Sequence, residues 1–270
     1  MIPIRDHNPT HTTPHLTIGL IAVNVVVFLL QLLGTGGIDR SAWKYGYVPA
    51  ELVRSRSELR DELQKSAQVV QVQDQFGRRF NRRILPPIED IEAIPASVNI
   101  FTCMYLHGGW MHLIGNMIYL WIFGNNIEDR LGPLLYFVFY TATGLMGNLL
   151  HTFFDPGAVP LVGASGAISG VLGAYILLYP HERITAIVPI GYYPATVNLP
   201  AWIFLGIYIV IQNLFPATFG AGAGGKGGVA YWAHIGGFAA GAAMIKLLPL
   251  RPLPFRTSPA FHDDDADFVL

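Results

Sequence analysis

Charged side chains are scarce in this chain. Only 13% of its 270 residues are Asp, Glu, Lys or Arg, while 52% are hydrophobic, and a soluble domain usually carries about 25% charged residues. This shortage excludes an ordinary soluble domain and indicates an integral membrane protein. The net charge of -1 offers none of the excess positive charge that nucleic acids select, so no nucleic-acid partner is expected.

Cysteine and metal-binding motifs are also scarce. Cys103 is the only cysteine, which excludes an internal disulfide and leaves the redox compartment open. His107, His112 and His234 are a conceivable set of metal ligands. However, no acidic residue accompanies them in an H-E-x-x-H motif, and the neighbouring Asn116 is a poor zinc ligand. We expect neither a metal nor a cofactor.

Long uncharged runs are abundant instead. Four of them have 18 to 22 residues, with Lys246 near the end of the last run as their only charge, and this length crosses a bilayer as a helix. Two further helices are predicted inside longer uncharged stretches. The six predicted spans are Leu16–Leu33, Met111–Ile127, Pro133–Phe154, Leu161–Pro180, Val197–Phe215 and Val229–Leu248. The predicted fold class is an all-α integral membrane protein, a bundle of six transmembrane helices.

The basic residues of short loops predict the orientation, because such loops stay on the cytoplasmic side. Among the short loops, only Lys226 lies on the outer side; the inner set is Arg5, Arg130, Arg183, Lys246, Arg251 and Arg256. The long first loop, about 34–97, breaks the pattern with ten Lys and Arg against nine Asp and Glu, but loops of that length are weak topology signals. Both termini are therefore expected in the cytoplasm. A cleaved signal peptide is the alternative for the first span, but its 18 apolar residues exceed the usual ~7–15, which favours an uncleaved helix.

The chain divides into three predicted parts: a cytoplasmic arm at 1–15, a membrane domain at 16–250 with a charged insert at about 34–97, and an acidic, disordered tail at 251–270. Within the insert, charge pairs four residues apart predict a helix over Glu51–Lys65. A basic cluster follows and offers contacts to lipid phosphates: Arg78, Arg79, Arg82 and Arg83. Because acidic residues largely balance the charge, we prefer a solvated amphipathic helix packed on the bundle.

Two polar residues stand inside apolar spans. Ser165 lies in Gly163-Ala164-Ser165-Gly166 and His234 in Ala233-His234-Ile235-Gly236-Gly237. Each is about four or five residues from the predicted outer end of its helix, so both are expected at one depth. Serine and histidine are the smallest pair that activates a hydroxyl, and polar residues at membrane depth indicate function. Separately, each fits a packing motif or an interhelical hydrogen bond; their matched depth favours catalysis.

Glycines beside this pair predict close helix packing. Gly166 and Gly170 form one G-x-x-x-G pair, and Gly237 and Gly241 form another on the face that carries His234. Small residues let helix backbones approach in a membrane. Such packing would bring the imidazole of His234 to the hydroxyl group.

Polar residues on the second predicted span offer a third group. His112 and Asn116 share one face of that helix near its outer end, where they could donate hydrogen bonds to an oxyanion. His107 could orient the site, and Trp110 suits the membrane interface. A purely structural role, in which both side chains join helices, fits the same pattern.

These motifs, in this order, resemble the rhomboid intramembrane serine proteases. The similar part runs from about Leu16 to Leu248 and also includes Glu128-Asp129-Arg130-Leu131-Gly132. The resemblance implies that Ser165 is the nucleophile and His234 the general base, and that His112 and Asn116 form the oxyanion hole with the Ser165 backbone N–H. Glu128 and Arg130 would be a structural pair. Some family members stack a tyrosine on the histidine where this chain has Ser169, so other packing must orient the base here.

The resemblance further implies an intramembrane serine endopeptidase without cofactor. Its substrates would be transmembrane proteins with helix-weakening residues near the outer face, and it would contact membrane lipid.

 The expected location is a bacterial cell membrane. A catalytically inactive rhomboid-like protein that binds transmembrane clients is one alternative, and the presence of Ser165, His234, His112 and Asn116 disfavours it. A small transporter or channel is another, but it would need charged or carbonyl-lined sites near the bilayer centre and repeat symmetry, and the sequence shows neither. The glycine-rich run 221–228 suits a mobile cap over the site and a flexible linker equally.

Overall fold

The computed structural model of the chain describes residues 1–34, 36–55, 57–59, 61, 68–73, 79–84, 94–190, 193–219 and 229–252, with the backbone alone for 68–73, 79–84 and 189–190. Residues 253–270 of the predicted acidic tail and the glycine-rich run 221–228 lie outside the described residues. The same holds for Arg78, whereas Arg79, Arg82 and Arg83 fall in a strand.

Helices dominate the described residues. They are α1 (His15–Leu33), α2 (Gly37–Tyr45), α3 (Ala50–Val53), α4 (Ala96–Thr102), α5 (Trp110–Leu131), α6 (Pro133–Phe154), α7 (Ser165–Leu178), α8 (Ala201–Phe219) and α9 (Tyr231–Ile245). Helices α1, α6 and α8 are long and apolar enough to cross a membrane, and α7 is a shorter apolar helix. The predicted helical membrane class is confirmed.

Several predicted helix boundaries are wrong, and local backbone geometry explains three of them. Helix α7 begins at Ser165 instead of near Leu161, because Gly163 has a φ of +128° that no helix contains. Helix α8 begins at Ala201 instead of Val197, because Val197 belongs to a strand that ends at Pro200. Helix α5 also extends past its predicted end to Leu131, where Gly132, at φ +75°, ends it.

The described residues also contain five strands that the sequence did not predict. Strands β1 (Ile2–Asp6), β4 (Arg183–Ile190) and β5 (Tyr193–Pro200) form an antiparallel sheet in the order β1-β4-β5, with Ile2 opposite Ile187 and Arg183 opposite Pro200. Strands β2 (Gln68–Gln73) and β3 (Arg79–Ile84) pair as a separate hairpin. The first sheet therefore joins the segment before α1 to the connection between α7 and α8.

The single helix predicted over Glu51–Lys65 is also wrong where the structure describes it. Helix α3 ends at Val53, and Arg54 is extended. Ser55 then starts a new turn, because its Oγ accepts from the N–H of Glu58 at 3.3 Å while the Glu58 carboxylate accepts from the N–H of Ser55 at 2.9 Å. This reciprocal pair is a capping box, which favours a helix start at that point over a continuous helix.

Helix α7 lies at the centre of the bundle. Every residue from Gly166 to Tyr175 is buried, and α7 packs against α5, α6 and α9. Large aromatic side chains fill the core beside it, among them Phe123, Tyr136, Phe139, Tyr140 and Tyr175. The first residue of this central helix is therefore held in place from several sides.

Candidate active site

Ser165 and His234 are hydrogen-bonded. The Nε2 atom of His234 lies 2.7 Å from Ser165 Oγ, within the range expected of a nucleophile and its base. Ser165 opens α7, and His234 is in the first turn of α9. Both residues are half-buried, whereas the flanking Ala164 and Gly166 are buried. Ser165 and His234 are therefore partly exposed at this end of the bundle.

Glycines bring the two helices together. Gly237 of α9 lies on the backbone carbonyl of Gly166, and Gly241 lies on that of Gly170 one turn further along α7. A Cβ at either α9 position would overlap the carbonyl oxygen. The close packing expected from the two G-x-x-x-G pairs is therefore present, and it fixes the separation of the backbones that carry Ser165 and His234.

The position of Ser165 at the start of α7 supplies free backbone donors. The first four N–H groups of a helix have no partner within it, and the helix dipole favours negative charge there. The preceding segment is anchored: Gly163 N–H donates to Cys103 O at 2.8 Å, and Leu161 N–H donates to Tyr47 O at 2.7 Å. The sequence predicted Ser165 about one turn inside the helix, so it did not predict that the unpaired N–H groups and the positive end of the helix dipole lie beside the serine.

His112 and Asn116 of α5 lie beside Gly163. A Cβ built on Gly163 would be 2.9 Å from His112 Nε2 and 3.7 Å from Asn116 Nδ2. His112 Nδ1 accepts a 3.4 Å hydrogen bond from the Gly108 N–H, which leaves the ring hydrogen on Nε2. Asn116 Nδ2 is buried and has no hydrogen-bond partner among the described residues. Two donors therefore face the loop that leads into Ser165.

His107 and Trp110 flank this group. The buried His107 ring meets the His112 ring edge-on, at 5.2 Å between centroids and 68° between planes. Its backbone N–H donates to Oε1 of Gln31 in α1 at 3.0 Å. Trp110 packs edge-on against Phe28 at 4.9 Å. Helix α1 thereby supports the N-terminal end of α5, where His112 lies.

Sequence reasoning missed two residues of α8 at this site. Asn213 Oδ1 lies 2.7 Å from His234 Nδ1, and Tyr208 Oη lies 2.7 Å from Ser169 Oγ. The Tyr208 ring also faces the His234 ring at 6.5 Å and 31°. Both were detectable as isolated polar groups within the uncharged stretch 184–225, since polar atoms in such a stretch are costly unless they are used.

Glu128 and Arg130 lie at the opposite end of α5, away from the serine. The Glu128 carboxylate accepts hydrogen bonds from the N–H groups of Leu16 and Thr17, at 2.8 and 2.7 Å. Those groups are at the start of α1, so Glu128 caps that helix. The Arg130 carbonyl accepts from the Arg251 N–H at 2.7 Å.

In the part of the chain that the structure describes, no three His, Cys, Asp or Glu residues are grouped to hold a metal ion.

The amino-acid sequence is similar to those of known proteins. The Rhomboid domain family matches residues 96–251, which include Ser165, His234, His112, Asn116 and Asn213. RHOMBOID-like protein 5 of Arabidopsis thaliana is 34% identical over 57% of this chain and 44% of its own length. Rhomboid protein 1, mitochondrial, of Saccharomyces cerevisiae is 32% identical over 40% of this chain and 34% of its own.

A bacterial relative is similar over a shorter part. The putative rhomboid protease YdcA of Bacillus subtilis is 33% identical over 32% of this chain and 44% of its own length. The chain therefore spans less than half the length of these three relatives. Because the family match covers more than half of the chain and includes Ser165 and His234, this chain belongs to the Rhomboid family.

Proposed function

We propose that this protein is an intramembrane serine endopeptidase that uses a Ser165–His234 dyad. The observation that carries the proposal is the 2.7 Å hydrogen bond between Ser165 Oγ and His234 Nε2. His234 would accept the Ser165 proton as Oγ attacks a peptide carbonyl, and would then donate it to the leaving amine. Water, activated by the same histidine, would hydrolyse the acyl-enzyme.

The donors around Gly163 suit the negative charge that forms in this reaction. The Ser165 N–H lies at the start of α7, and the buried Asn116 Nδ2 has no partner among the described residues. His112 adds an Nε2–H beside them. Donors that are fixed before the reaction stabilise an oxyanion strongly where water does not screen them.

Contacts at one end of the bundle support six spans, formed by α1 and α5 to α9. Strand β1, before α1, pairs with β4, after α7, which requires an even number of crossings between them. The Arg251 N–H, after α9, donates to Arg130 at the end of α5, which again requires an even number. The basic loop residues assign this end to the cytoplasm.

The substrates in this proposal are transmembrane proteins. Ser165 lies at the outer end of the bundle in the six-span topology, so the cleaved bond lies near the outer membrane surface. A helix hides its peptide bonds, and residues such as glycine that weaken it would expose them there. The relatives come from a plant, yeast and a bacterium. The comparisons therefore do not support the expected bacterial membrane over another membrane, and the proposal is an integral membrane protein with both termini in the cytoplasm.

Cleavage of a reconstituted substrate tests this function. The protein is incorporated into liposomes with two transmembrane test proteins, one with glycines near its outer end and one with leucines at the same positions. We expect cleavage of the first, slower cleavage of the second, and none of either by Ser165→Ala or His234→Ala. Ser41→Ala, which changes a serine of α2 outside the site, is the matched control.

Binding of the test protein without cleavage would contradict the proposal. It would instead support the second candidate, a rhomboid-like protein that binds transmembrane clients. Equal cleavage of the glycine and leucine proteins would leave the endopeptidase in place and contradict the proposed access through an unwound helix.

A further inference from the structure

The His234 imidazole is held at both of its nitrogens. Nε2 lies 2.7 Å from Ser165 Oγ, and Nδ1 lies 2.7 Å from Asn213 Oδ1. Asn213 is buried, with 2% of its surface exposed. Ser165, His234 and Asn213 thus form a continuous line of hydrogen bonds from α7 through α9 to α8.

The other end of the Asn213 amide fixes which atom faces the histidine. Asn213 Nδ2 donates to the Tyr208 carbonyl oxygen at 2.8 Å, and only the amide nitrogen can donate there. The amide oxygen must therefore point at His234 Nδ1. Because this oxygen only accepts, Nδ1 carries the ring hydrogen, and Nε2 of the neutral imidazole keeps the lone pair that Ser165 Oγ–H needs.

A π-helical turn places Asn213 at this point. Residues Val210–Leu214 of α8 form that turn, which holds one more residue than an α-helical turn, and such turns are frequent at functional sites. The Asn213 side chain donates its hydrogen bond to the carbonyl oxygen of Tyr208, five residues earlier in the chain. The Tyr208 hydroxyl meets Ser169 at 2.7 Å, so the same part of α8 also packs beside the base.

We propose that Asn213 is a positioning residue that holds His234 in its Nδ1–H tautomer. The inference deepens the proposed function, on which its effect on catalysis rests. His234 Nε2 takes the Ser165 proton while the bond between Oγ and the carbonyl carbon forms. The Nδ1–H group stays hydrogen-bonded to Asn213 Oδ1 throughout. Nε2 then donates the proton to the leaving amine as the C–N bond breaks. An amide orients the imidazole without placing a carboxylate among apolar helices, where an ionised acid is costly.

Two substitutions separate orientation of the histidine from support of the π-turn. Asn213→Leu removes both hydrogen bonds, whereas Asn213→Asp keeps an acceptor for His234 but cannot donate to Tyr208 when ionised. Gln212→Leu, at the neighbouring position in the same turn, is the control. The readout is the rate at which a fluorophosphonate probe labels the protein. We expect Asn213→Leu to slow labelling by about 10- to 100-fold. The logarithm of the rate for Asn213→Asp should lie at least halfway from that of Asn213→Leu back to that of the wild type. Gln212→Leu should label at the wild-type rate. Equal losses in both Asn213 variants would overturn the proposal.

Nitrogen-15 NMR of labelled histidines tests the same contact without activity. The His234 signals are those that disappear in His234→Ala. We expect the Nδ1–H tautomer in the wild type and a loss of that preference in Asn213→Leu. An unchanged tautomer in the variant would overturn the proposal even if labelling slowed. The expected tautomer in a wild type that does not label would support the contact and contradict the proposed protease activity, so the two failures are distinguishable.

Discussion

Gly237 in α9 lies directly on the backbone carbonyl of Gly166 in α7, the residue after Ser165. A methyl group at Gly237 would overlap that oxygen, and backbone cannot move aside as a flexible side chain can. Gly237→Ala should therefore push α9 away from α7 and lengthen the distance from His234 to Ser165. Misplacement of reacting groups by about 1 Å costs on the order of 100-fold in rate.

Measured turnover should accordingly fall by about 100-fold in Gly237→Ala. Gly19→Ala is a matched control, because a Cβ at Gly19 in α1 meets no atom within 4 Å. Turnover by Gly237→Ala close to that of Gly19→Ala would show that the helix contact does not set the geometry of the dyad.

Asn116→Ala tests the oxyanion donors. The substitution removes the buried Nδ2 beside Gly163, and loss of one such donor typically lowers kcat by about 100- to 1000-fold. We expect this fall in kcat with little change in KM, because the charge forms only during the reaction. Gly115→Ala changes the adjacent position, where a Cβ meets open space, and should leave kcat unchanged. A rise in KM with normal kcat would assign Asn116 to substrate binding.

Glu128→Ala should destabilise the protein more than it changes the site. The carboxylate accepts from the Leu16 N–H, the Thr17 N–H and the Thr17 hydroxyl, and hydrogen bonds to a charged group contribute about 1.5–3 kcal/mol each. Thermal unfolding in detergent should show a clear drop in Tm. Asp39→Asn, at an exposed position in α2, should change Tm little. A Tm equal to that of the control would contradict the capping role of Glu128.

The carboxyl group of Asp6 predicts a pH dependence of stability. Burial raises the pKa of Asp6 from 3.8 to about 6, although Tyr175 and Asn126 donate hydrogen bonds to it. Its folded-state pKa is above the unfolded value, so its contribution to stability is full below about pH 4 and is lost as pH rises through about 6.

Asp6→Asn removes this titration. The Tm difference between wild type and Asp6→Asn should therefore shift against the wild type as the pH rises from below 3.8 to above about 6, the range that contains both pKa values. Unfolding scans across that range measure it, with the variant as the control for all other titrating groups. A difference that stays constant with pH would contradict a raised pKa at Asp6.

Local patterns predicted much of the bundle and the contact at its site. Ser165, His234 and the glycines beside them could be recognised because each motif spans only a few residues, and a helical face orders those residues. The expected helix faces do meet, since Gly237 lies on Gly166 and Gly241 on Gly170. The catalytic roles of these residues stay predictions until activity is measured.

The features that sequence reasoning missed depend on distant contacts or on single backbone angles. Strand β4 pairs with β1, about 180 residues away in sequence. The apolar sequence of β4 gives no indication of that distant partner. The start of α7 at Ser165 follows from the φ of Gly163. Asn213, which contacts His234, lies in a π-turn of α8, and the residue spacing of an ordinary helix does not predict such a turn.

The most direct test of the central claim is covalent labelling of Ser165. The detergent-solubilised protein is treated with a fluorophosphonate probe and digested, and the modified residue is identified by mass spectrometry, beside Ser165→Ala, His234→Ala and Ser41→Ala. The account predicts an adduct on Ser165 in the wild type and in Ser41→Ala, and none in the other two variants. A folded wild type without an adduct, or labelling that persists in His234→Ala at the wild-type rate, would contradict a serine nucleophile activated by His234.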